Sequence, residues 1–147
     1  MSGRDGDGTI DPAVAMMAED DASAALGIEV VAVSPGHAVT RMTIADQHLN
    51  GHRIAHGGHV FLLADTAFAC ACNSGRPMTV AATAEIDFIA AAHHGDVLEA
   101  TAVERATFGR SGITDVTVRR VATADGAVDG DGDLVAEFRG RSRTLKS

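Results

Sequence analysis

The most distinctive pattern in the chain is a nearly uncharged apolar run from His59 to Cys72, followed by Asn73-Ser74-Gly75. Leu, Phe, Ala and Val fill this run without leaving a continuous polar side. A helix that is apolar all round is a buried helix. The run therefore predicts a central buried helix, in which Asp65 is the one residue that breaks the apolar pattern.

A second helix is predicted earlier in the chain. Asp11-Pro12 has the residue types of an N-cap and a first helical position, and Gly27 is a natural stop. The apolar side of this helix is formed by Ala13, Met16, Met17, Ala24 and Leu26. Residues 1–10 are rich in Gly and Asp, so we expect a disordered tail there and a single domain over residues 11–147.

The other apolar segments indicate strands. Ile28–Val33 and Ala38–Ile44 flank the turn Ser34-Pro35-Gly36-His37 and predict a hairpin. Four later segments rich in Val, Thr, Ile and Ala predict further strands: Met78–Ile89, Val97–Phe108, Ile113–Thr123 and Leu134–Arg143. Residues 125–133 hold Asp and Gly without an apolar pattern, which predicts a long solvated hairpin loop.

This order of elements predicts an α+β fold, in which an antiparallel sheet of five or six strands encloses the central helix. A single sheet covers only one face of a helix. We therefore expect the protein to form an oligomer.

Composition narrows the function classes. The chain has 147 residues, a net charge of −8, five Phe and neither Trp nor Tyr. Without a basic stripe or aromatic platforms, nucleic acid is not an expected partner. No apolar run reaches the length of a membrane span, and no signal peptide is visible. Cys70 and Cys72 would point about 200° apart on a helix, which disfavours a disulfide between them, and we expect a reduced, cytoplasmic protein.

Asp65 is the first candidate for chemistry. An unpaired Asp is rarely buried and is a poor helix former away from the first turn. Two interpretations are open: Asp65 faces water or a neighbouring backbone group, or it lies in an apolar wall. In the second case its pKa is raised toward the range that suits acid–base catalysis.

The second candidate is a polar segment before the central helix, which contains Asn50-Gly51 and His56-Gly57-Gly58. Two glycines at a helix start expose free N–H groups that favour a developing negative charge, as in an oxyanion site. A simple glycine-rich turn is the alternative. The four histidines at positions 48, 52, 56 and 59 have no acidic or Cys ligand beside them, so we expect no metal.

The combined motif resembles a known family. His48-Leu49-Asn50-Gly51, followed by the segment from His56 to Ser74, is similar to the PaaI-type acyl-CoA thioesterases of phenylacetate breakdown. The similarity spans residues 13–145 and includes Ile86-Asp87-Phe88, Gly95-Asp96 and Phe138-Arg139-Gly140. The resemblance implies the hotdog fold, a long helix wrapped by a curved antiparallel sheet.

The resemblance also implies roles for single residues. Asp65 matches the catalytic carboxylate, and Gly57 matches the residue whose backbone N–H polarises the thioester carbonyl. Asn50 and His56 match polar residues at the acyl end of the site. Substrate contacts are implied for Gly58 and for Arg110-Ser111-Gly112, the latter with the nucleotide part of coenzyme A; an ordinary hairpin turn is the alternative interpretation of Arg110.

In such dimers the carboxylate and the helix N-terminus come from different subunits, so the resemblance implies at least a homodimer and commonly a homotetramer. Two features depart from the family. The 125–133 loop is longer and more acidic than usual, and Glu85 stands where a small hydroxyl residue is frequent. The Glu85 carboxylate either alters the acyl pocket or points to solvent.

The expected reaction is hydrolysis of phenylacetyl-CoA or hydroxyphenylacetyl-CoA to the free acid and coenzyme A, with no cofactor. Asp65 would serve as general base or as nucleophile. Two alternatives are a hotdog dehydratase or hydratase that uses His56 with Asp65, and a non-catalytic acyl-CoA-binding protein.

Overall fold

The computed structural model describes residues 8–146, which form three α-helices, one 3-10 turn and seven strands. Residues 1–7 of the predicted tail lie outside the described part. The helices are α1 (Pro12–Ala18), α2 (Asp21–Ala25) and α3 (Gly57–Asn73), and the 3-10 turn is Asp46–His48. None of the described helices is long and apolar enough to span a membrane.

The predicted N-terminal helix is two short helices. Its start is confirmed, because the Asp11 carboxylate accepts the Ala13 N–H at 2.8 Å as an N-cap. The prediction of one continuous helix is wrong, because the Asp20 carboxylate accepts the Ser23 N–H at 2.9 Å and begins α2 as a second N-cap. Gly27 follows α2 with a φ of +74°, which confirms the predicted stop.

All strand pairs are antiparallel. The strands are β1 (Glu29–Ser34), β2 (His37–Thr43), β3 (Thr79–Phe88), β4 (Val97–Phe108), β5 (Ser111–Thr123), β6 (Gly126–Ala127) and β7 (Asp133–Thr144). Their order in the sheet is β1-β2-β4-β5-β7-β3, with β6 paired to β5. The predicted strands are all present, and the additional strand β6 lies within the segment expected to be a solvated loop.

Helix α3 lies against the inner face of this sheet and is buried, as its sequence predicts. Its side chains at Leu63, Ala67 and Phe68 pack with inward-pointing residues of the strands. The apolar sheet residues of this core are Ala38, Met42, Leu98, Ala100, Ala102, Val116, Val118, Ala136 and Phe138. Alternation along the strands leaves the charged side chains on the outer face.

The C-terminal end of α3 is tied to its neighbours by buried polar side chains. Asn73 accepts the Thr79 N–H and donates to the Thr79 carbonyl, both at 2.9 Å, which fixes β3 to the helix. Ser74 donates to the Asp11 carboxylate at 2.6 Å, which fixes α1 there as well. These bonds hold α1 and β3 on either side of α3.

Strand β3 is the outermost strand on its side of the sheet and is exposed along most of its length. Apolar side chains lie at both of its ends: Met78 is 67% exposed and Phe88 is 56% exposed. Exposed apolar edge strands are sites of association with another chain.

Close packing between α3 and β7 generates a prediction about Gly140. A Cβ at this position would lie 2.7 Å from the Phe68 ring. We expect Gly140→Ala to lower the free energy of unfolding by about 1–3 kcal/mol, as overpacking does. Urea denaturation measures the change, with Gly51→Ala as control because no atom lies within 4 Å of its added Cβ. Equal stability of the two variants would contradict the packing described here.

Candidate active site

The N-terminus of α3 presents one free backbone donor. His56 is the N-cap, and its Nδ1 accepts the Gly58 N–H at 2.9 Å. The His56 carbonyl accepts the N–H groups of His59 and Val60. The Gly57 N–H makes no hydrogen bond to any described residue, and it lies at the positive end of the helix dipole. Gly57 is therefore suited to bind a developing oxyanion, whereas the Gly58 N–H is already engaged.

A second donor comes from the loop before α3. The Asn50 Oδ1 accepts the N–H groups of His52 at 2.9 Å and Ile54 at 3.4 Å, which orients the side chain. Its Nδ2 has no partner among the described residues. Asn50 and Gly57 share a cleft of about 250 Å³, the Gly57 cleft, whose other lining residues include Val60, Phe88, Ile89 and Val135.

His48 holds this loop in place, a role that sequence reasoning missed. Its Nδ1 accepts the Ala45 N–H at 2.8 Å, so the proton is on Nε2, which donates to the Leu26 carbonyl at 3.0 Å. Its own carbonyl accepts the His56 N–H at 2.7 Å. Burial lowers the pKa of His48, which favours the neutral ring that these bonds require. Sequence reasoning missed this role because His48 lies in a polar segment, whose pattern does not reveal that its side chain is buried.

Asp65 lies in the middle of α3 and is half-buried. Burial raises the pKa of its carboxyl above the ordinary value, and the negative charge of Asp20 raises it further. The carboxylate makes no hydrogen bond to a described residue. It lines a largely apolar cleft of about 600 Å³, the Asp65 cleft, with α1 on one side and β3 on the other; Met16, Phe68, Ala69, Met78 and Val80 are among its lining residues. Of the two interpretations, the structure supports the carboxylate in an apolar wall.

The predicted site residues fall into three places within one chain. Asn50, His56, Gly57 and Gly58 meet at the start of α3, whereas Asp65 is eight residues further along, about 12 Å on a helix. The third group, Arg110-Ser111-Gly112, forms the turn from β4 to β5 and the start of β5.

The Arg110 turn lies near the C-terminal end of α3. The Arg110 carbonyl accepts the Thr144 N–H at 2.7 Å, and Thr144 pairs with Thr79 beside that end of the helix. A Cβ on Gly112 would lie 2.9 Å from the Ser142 hydroxyl, so a larger residue would force Ser142 to shift, and strand packing gives a reason for glycine there without any substrate. Substrate contacts of these residues and of Gly58 stay predictions.

Of the two interpretations of the Glu85 carboxylate, the structure supports the one in which it points to solvent. Its neighbours in β3 pair with the inward positions Phe138 and Gly140, whereas Glu85 pairs with Arg139 on the outer face. The side chain is exposed and points away from α3. Within the described residues, no group of three His, Cys, Asp or Glu is arranged to hold a metal ion.

Comparison with known proteins identifies the family. Residues 52–127 match the thioesterase superfamily. The chain is 42% identical over 130 residues to the acyl-coenzyme A thioesterase PaaI of Escherichia coli (strain K12), covering 88% of this chain and 86% of that protein. The chain belongs to the thioesterase superfamily. It is a thioester hydrolase, and the identity with the Escherichia coli protein confirms the PaaI-type resemblance.

Solved structures of relatives confirm the hotdog fold. The structure of the Escherichia coli PaaI protein from the phenylacetic acid degradation operon has a TM-score of 0.81 and 39% identity, with 92% of each chain covered. The structure of the TT0310 protein from Thermus thermophilus has a TM-score of 0.77 and 35% identity, and covers 86% of this thioesterase and 99% of that chain.

The position of Asp65 predicts its importance for hydrolysis. We expect Asp65→Asn to lower the rate of thiol release at least about a hundredfold, because the amide is isosteric but neither a base nor a nucleophile. Asp21→Asn is the matched control, since Asp21 is an exposed carboxylate in the first turn of α2. Near-normal turnover by a folded Asp65→Asn enzyme would exclude the assigned role.

The charge of Asp20 generates a prediction about pH. If the ionised form of Asp65 is active, activity falls as the pH drops through its raised pKa. Asp20→Asn keeps an N-cap residue for α2 but removes the negative charge, so the acid limb of kcat/KM should move to lower pH. The pH profile of Asp21→Asn provides the reference. An acid limb that stays in place or moves to higher pH would contradict the coupling.

Proposed function

We propose that this thioesterase hydrolyses acyl-CoA thioesters, specifically phenylacetyl-CoA or hydroxyphenylacetyl-CoA, at a site that two copies of the chain complete. The observation that carries the proposal is the pair of complementary half-sites: a free Gly57 N–H in one cleft and a half-buried Asp65 in another. The relative of 42% identity is named for acyl-coenzyme A hydrolysis, which supports this substrate class.

Strand β3 provides a way to join the half-sites. Met78 and Val80, at one end, line the Asp65 cleft, and Phe88 and Ile89, at the other end, line the Gly57 cleft. Antiparallel pairing of β3 with the β3 of a second copy places one end against the other. Each Asp65 cleft then adjoins the Gly57 cleft of the partner, and two-fold symmetry creates two equivalent sites.

The edge itself is suited to such pairing. An unpaired edge strand presents free N–H and C=O groups that another strand can bind. Small, exposed side chains at Ala81, Ala82 and Ala84 allow a second strand to approach. Pairing would also cover the exposed apolar side chains at the two ends of β3.

In the joined site each group has a separate task. The Gly57 N–H and the helix dipole stabilise the negative charge on the thioester oxygen. Asp65 either removes a proton from the attacking water or attacks the carbonyl carbon itself to give an anhydride that water opens. In both routes the carbon–sulfur bond breaks, coenzyme A leaves as the thiol and the acid is released. Asn50 positions the water or the carboxylate through its free Nδ2, and His56 fixes the loop and the helix start.

Thiol release over a panel of CoA thioesters tests the substrate. We expect kcat/KM to be highest for phenylacetyl-CoA or its hydroxylated derivatives, because the largely apolar Asp65 cleft favours an aromatic acyl group over a charged one. Faster hydrolysis of short aliphatic or charged acyl groups would refute this choice. Conversion of an enoyl thioester without thiol release would indicate a hydratase instead.

The shared site predicts complementation between inactive variants. Asp65→Ala and His56→Ala subunits carry lesions in different halves of the site, so a mixed dimer has one doubly damaged site and one intact site. We expect the mixed dimer, co-expressed with two tags and purified through both, to regain about half of the wild-type activity.

A doubly tagged wild-type dimer is the control and should be fully active. A folded mixed dimer that is no more active than either parent would place the whole site within one chain.

A further inference from the structure

Phe88 is an aromatic side chain that faces the inner side of the sheet and stays largely uncovered. In β3, Ile86 pairs with Phe138 and packs against the core, so Phe88, two residues further on, points to the same inner face. Its partner in β7 is the fully buried Ala136. The Phe88 side chain is nevertheless 56% exposed, whereas Phe138 is 2% exposed. Phe88 therefore keeps a free apolar surface on the side of the sheet that carries the site.

The tip of the Phe88 ring lies against the start of α3. A Cβ at Gly57 would lie 3.0 Å from Cζ of the ring and 3.3 Å from its Cε1, so a larger residue at this position would displace the ring. The end of β3 is fixed by two backbone bonds, because the N–H groups of Ile89 and Ala90 both donate to the Val135 carbonyl, at 2.8 Å and 3.1 Å. Phe88 and Gly57 thus lie side by side in the lining of the Gly57 cleft.

Among the described residues, the Phe88 ring contacts no other aromatic ring. The core phenylalanines do pair: Phe61 and Phe68 each contact Phe138, with ring centroids 5.3 Å and 5.7 Å apart. Aromatic rings prefer edge-to-face or offset partners, with centroids about 4.5–7 Å apart. The exposed side of the Phe88 ring therefore offers such a contact to an aryl group of a ligand.

The proposed site brings the acyl group of the substrate to this ring. A carbonyl oxygen bound to the Gly57 N–H lies beside the ring tip, and the α-carbon of the acyl group is two bonds from that oxygen. In a phenylacetyl group, this carbon carries the aryl ring. The proposed pairing of β3 strands also places Phe88 next to the partner's Asp65 cleft, which holds the acyl group. An aryl group in that cleft is therefore within reach of the Phe88 ring.

We propose that Phe88 is the specificity-determining residue for aromatic acyl groups: its ring, in the subunit that supplies Gly57, contacts the aryl group of the substrate. This inference rests on the proposed function and names the contact behind its substrate preference. Burial in the largely apolar Asp65 cleft favours any apolar acyl group and does not distinguish an aryl ring from a saturated ring of similar size. A contact between two aromatic rings adds a preference beyond buried area, and one such pair changes binding about three- to tenfold.

Two substrates of similar shape test the contact. Phenylacetyl-CoA and cyclohexylacetyl-CoA differ in whether the ring is aromatic, so the ratio of their kcat/KM values measures the preference for an aromatic ring. We expect Phe88→Leu to lower this ratio about three- to tenfold relative to the wild type, because leucine is apolar but not aromatic. The intrinsic reactivities of the two thioesters are the same for both proteins and cancel in this comparison. An unchanged ratio, including one that results from equal losses on both substrates, would overturn the proposal.

Phe108→Leu is the matched control. Phe108 is 49% exposed, ends β4 and lines neither the Gly57 cleft nor the Asp65 cleft, so this substitution removes a similar exposed ring from another place. We expect its ratio of kcat/KM values to equal that of the wild type. A fall as large as in Phe88→Leu would mean that the loss of any exposed ring changes the ratio, which would contradict a direct contact.

Mixed dimers assign the contact to one subunit and separate it from any effect on the pairing of β3. In the dimer of Asp65→Ala with His56→Ala, the intact site takes its Gly57 from the Asp65→Ala chain. Phe88→Leu is added to one chain or to the other, so that both dimers contain one altered β3. We expect the ratio of kcat/KM values to fall only when Phe88→Leu is on the Asp65→Ala chain. An equal fall in both arrangements would overturn the proposal.

Binding without turnover keeps this inference separate from the proposed hydrolysis. Ketone analogues of the two thioesters, in which a methylene group replaces the sulfur, release no thiol and can be titrated by calorimetry. We expect the wild type and Phe108→Leu to bind the aryl analogue about three- to tenfold more tightly than the cyclohexyl analogue, and Phe88→Leu to bind both equally. If no CoA thioester is hydrolysed but this difference is found, the proposed function fails and the Phe88 contact stands. Equal affinities for the two analogues in all three proteins would overturn the contact, even if hydrolysis is found.

Discussion

The length of helix between Gly57 and Asp65 is the constraint on which the active site depends. Eight helical residues hold the oxyanion donor and the carboxylate about 12 Å apart, and a buried helix cannot bend to bring them together. In the proposed function, the two groups serve one carbonyl only if another chain supplies the missing partner. The rigid core helix would then make association of subunits part of the chemistry, and the exposed strand β3 is the edge at which we propose that association.

The surroundings of α3 leave both proposed catalytic groups without a hydrogen-bond partner among the described residues. At the N-terminus, His56 engages the Gly58 N–H and leaves the Gly57 N–H free, while the buried His48 fixes the preceding loop. Along the helix, burial raises the pKa of Asp65 without supplying a hydrogen-bond partner that would stabilise its charge. Polar contacts at the C-terminal end tie α1 and β3, which line the Asp65 cleft, to the end of the helix. The proposed site therefore relies on a backbone N–H and a carboxylate that have no hydrogen-bond partner in the described part of the chain.

Sequence patterns predicted the parts of the fold that follow from periodicity. The buried helix, the first hairpin and the four later strands are all confirmed, since burial and alternation are local signals. The sequence pattern predicted one continuous N-terminal helix and missed the break before α2. Asp20 caps α2 there, but one Asp among several acidic residues does not mark a helix start. The face of the sheet to which Glu85 points depends on strand register. The hydrogen bonds of His48 depend on residues distant in sequence. Neither can be predicted from the pattern of one sequence.

A crystal structure of the Asp65→Asn protein with an unhydrolysed acyl-CoA would test the central claim most directly. The account predicts that the thioester oxygen lies within hydrogen-bond distance of the Gly57 N–H of one subunit, while the carbonyl carbon faces position 65 of the partner. A thioester held by both positions of the same chain, or one that contacts neither, would contradict it.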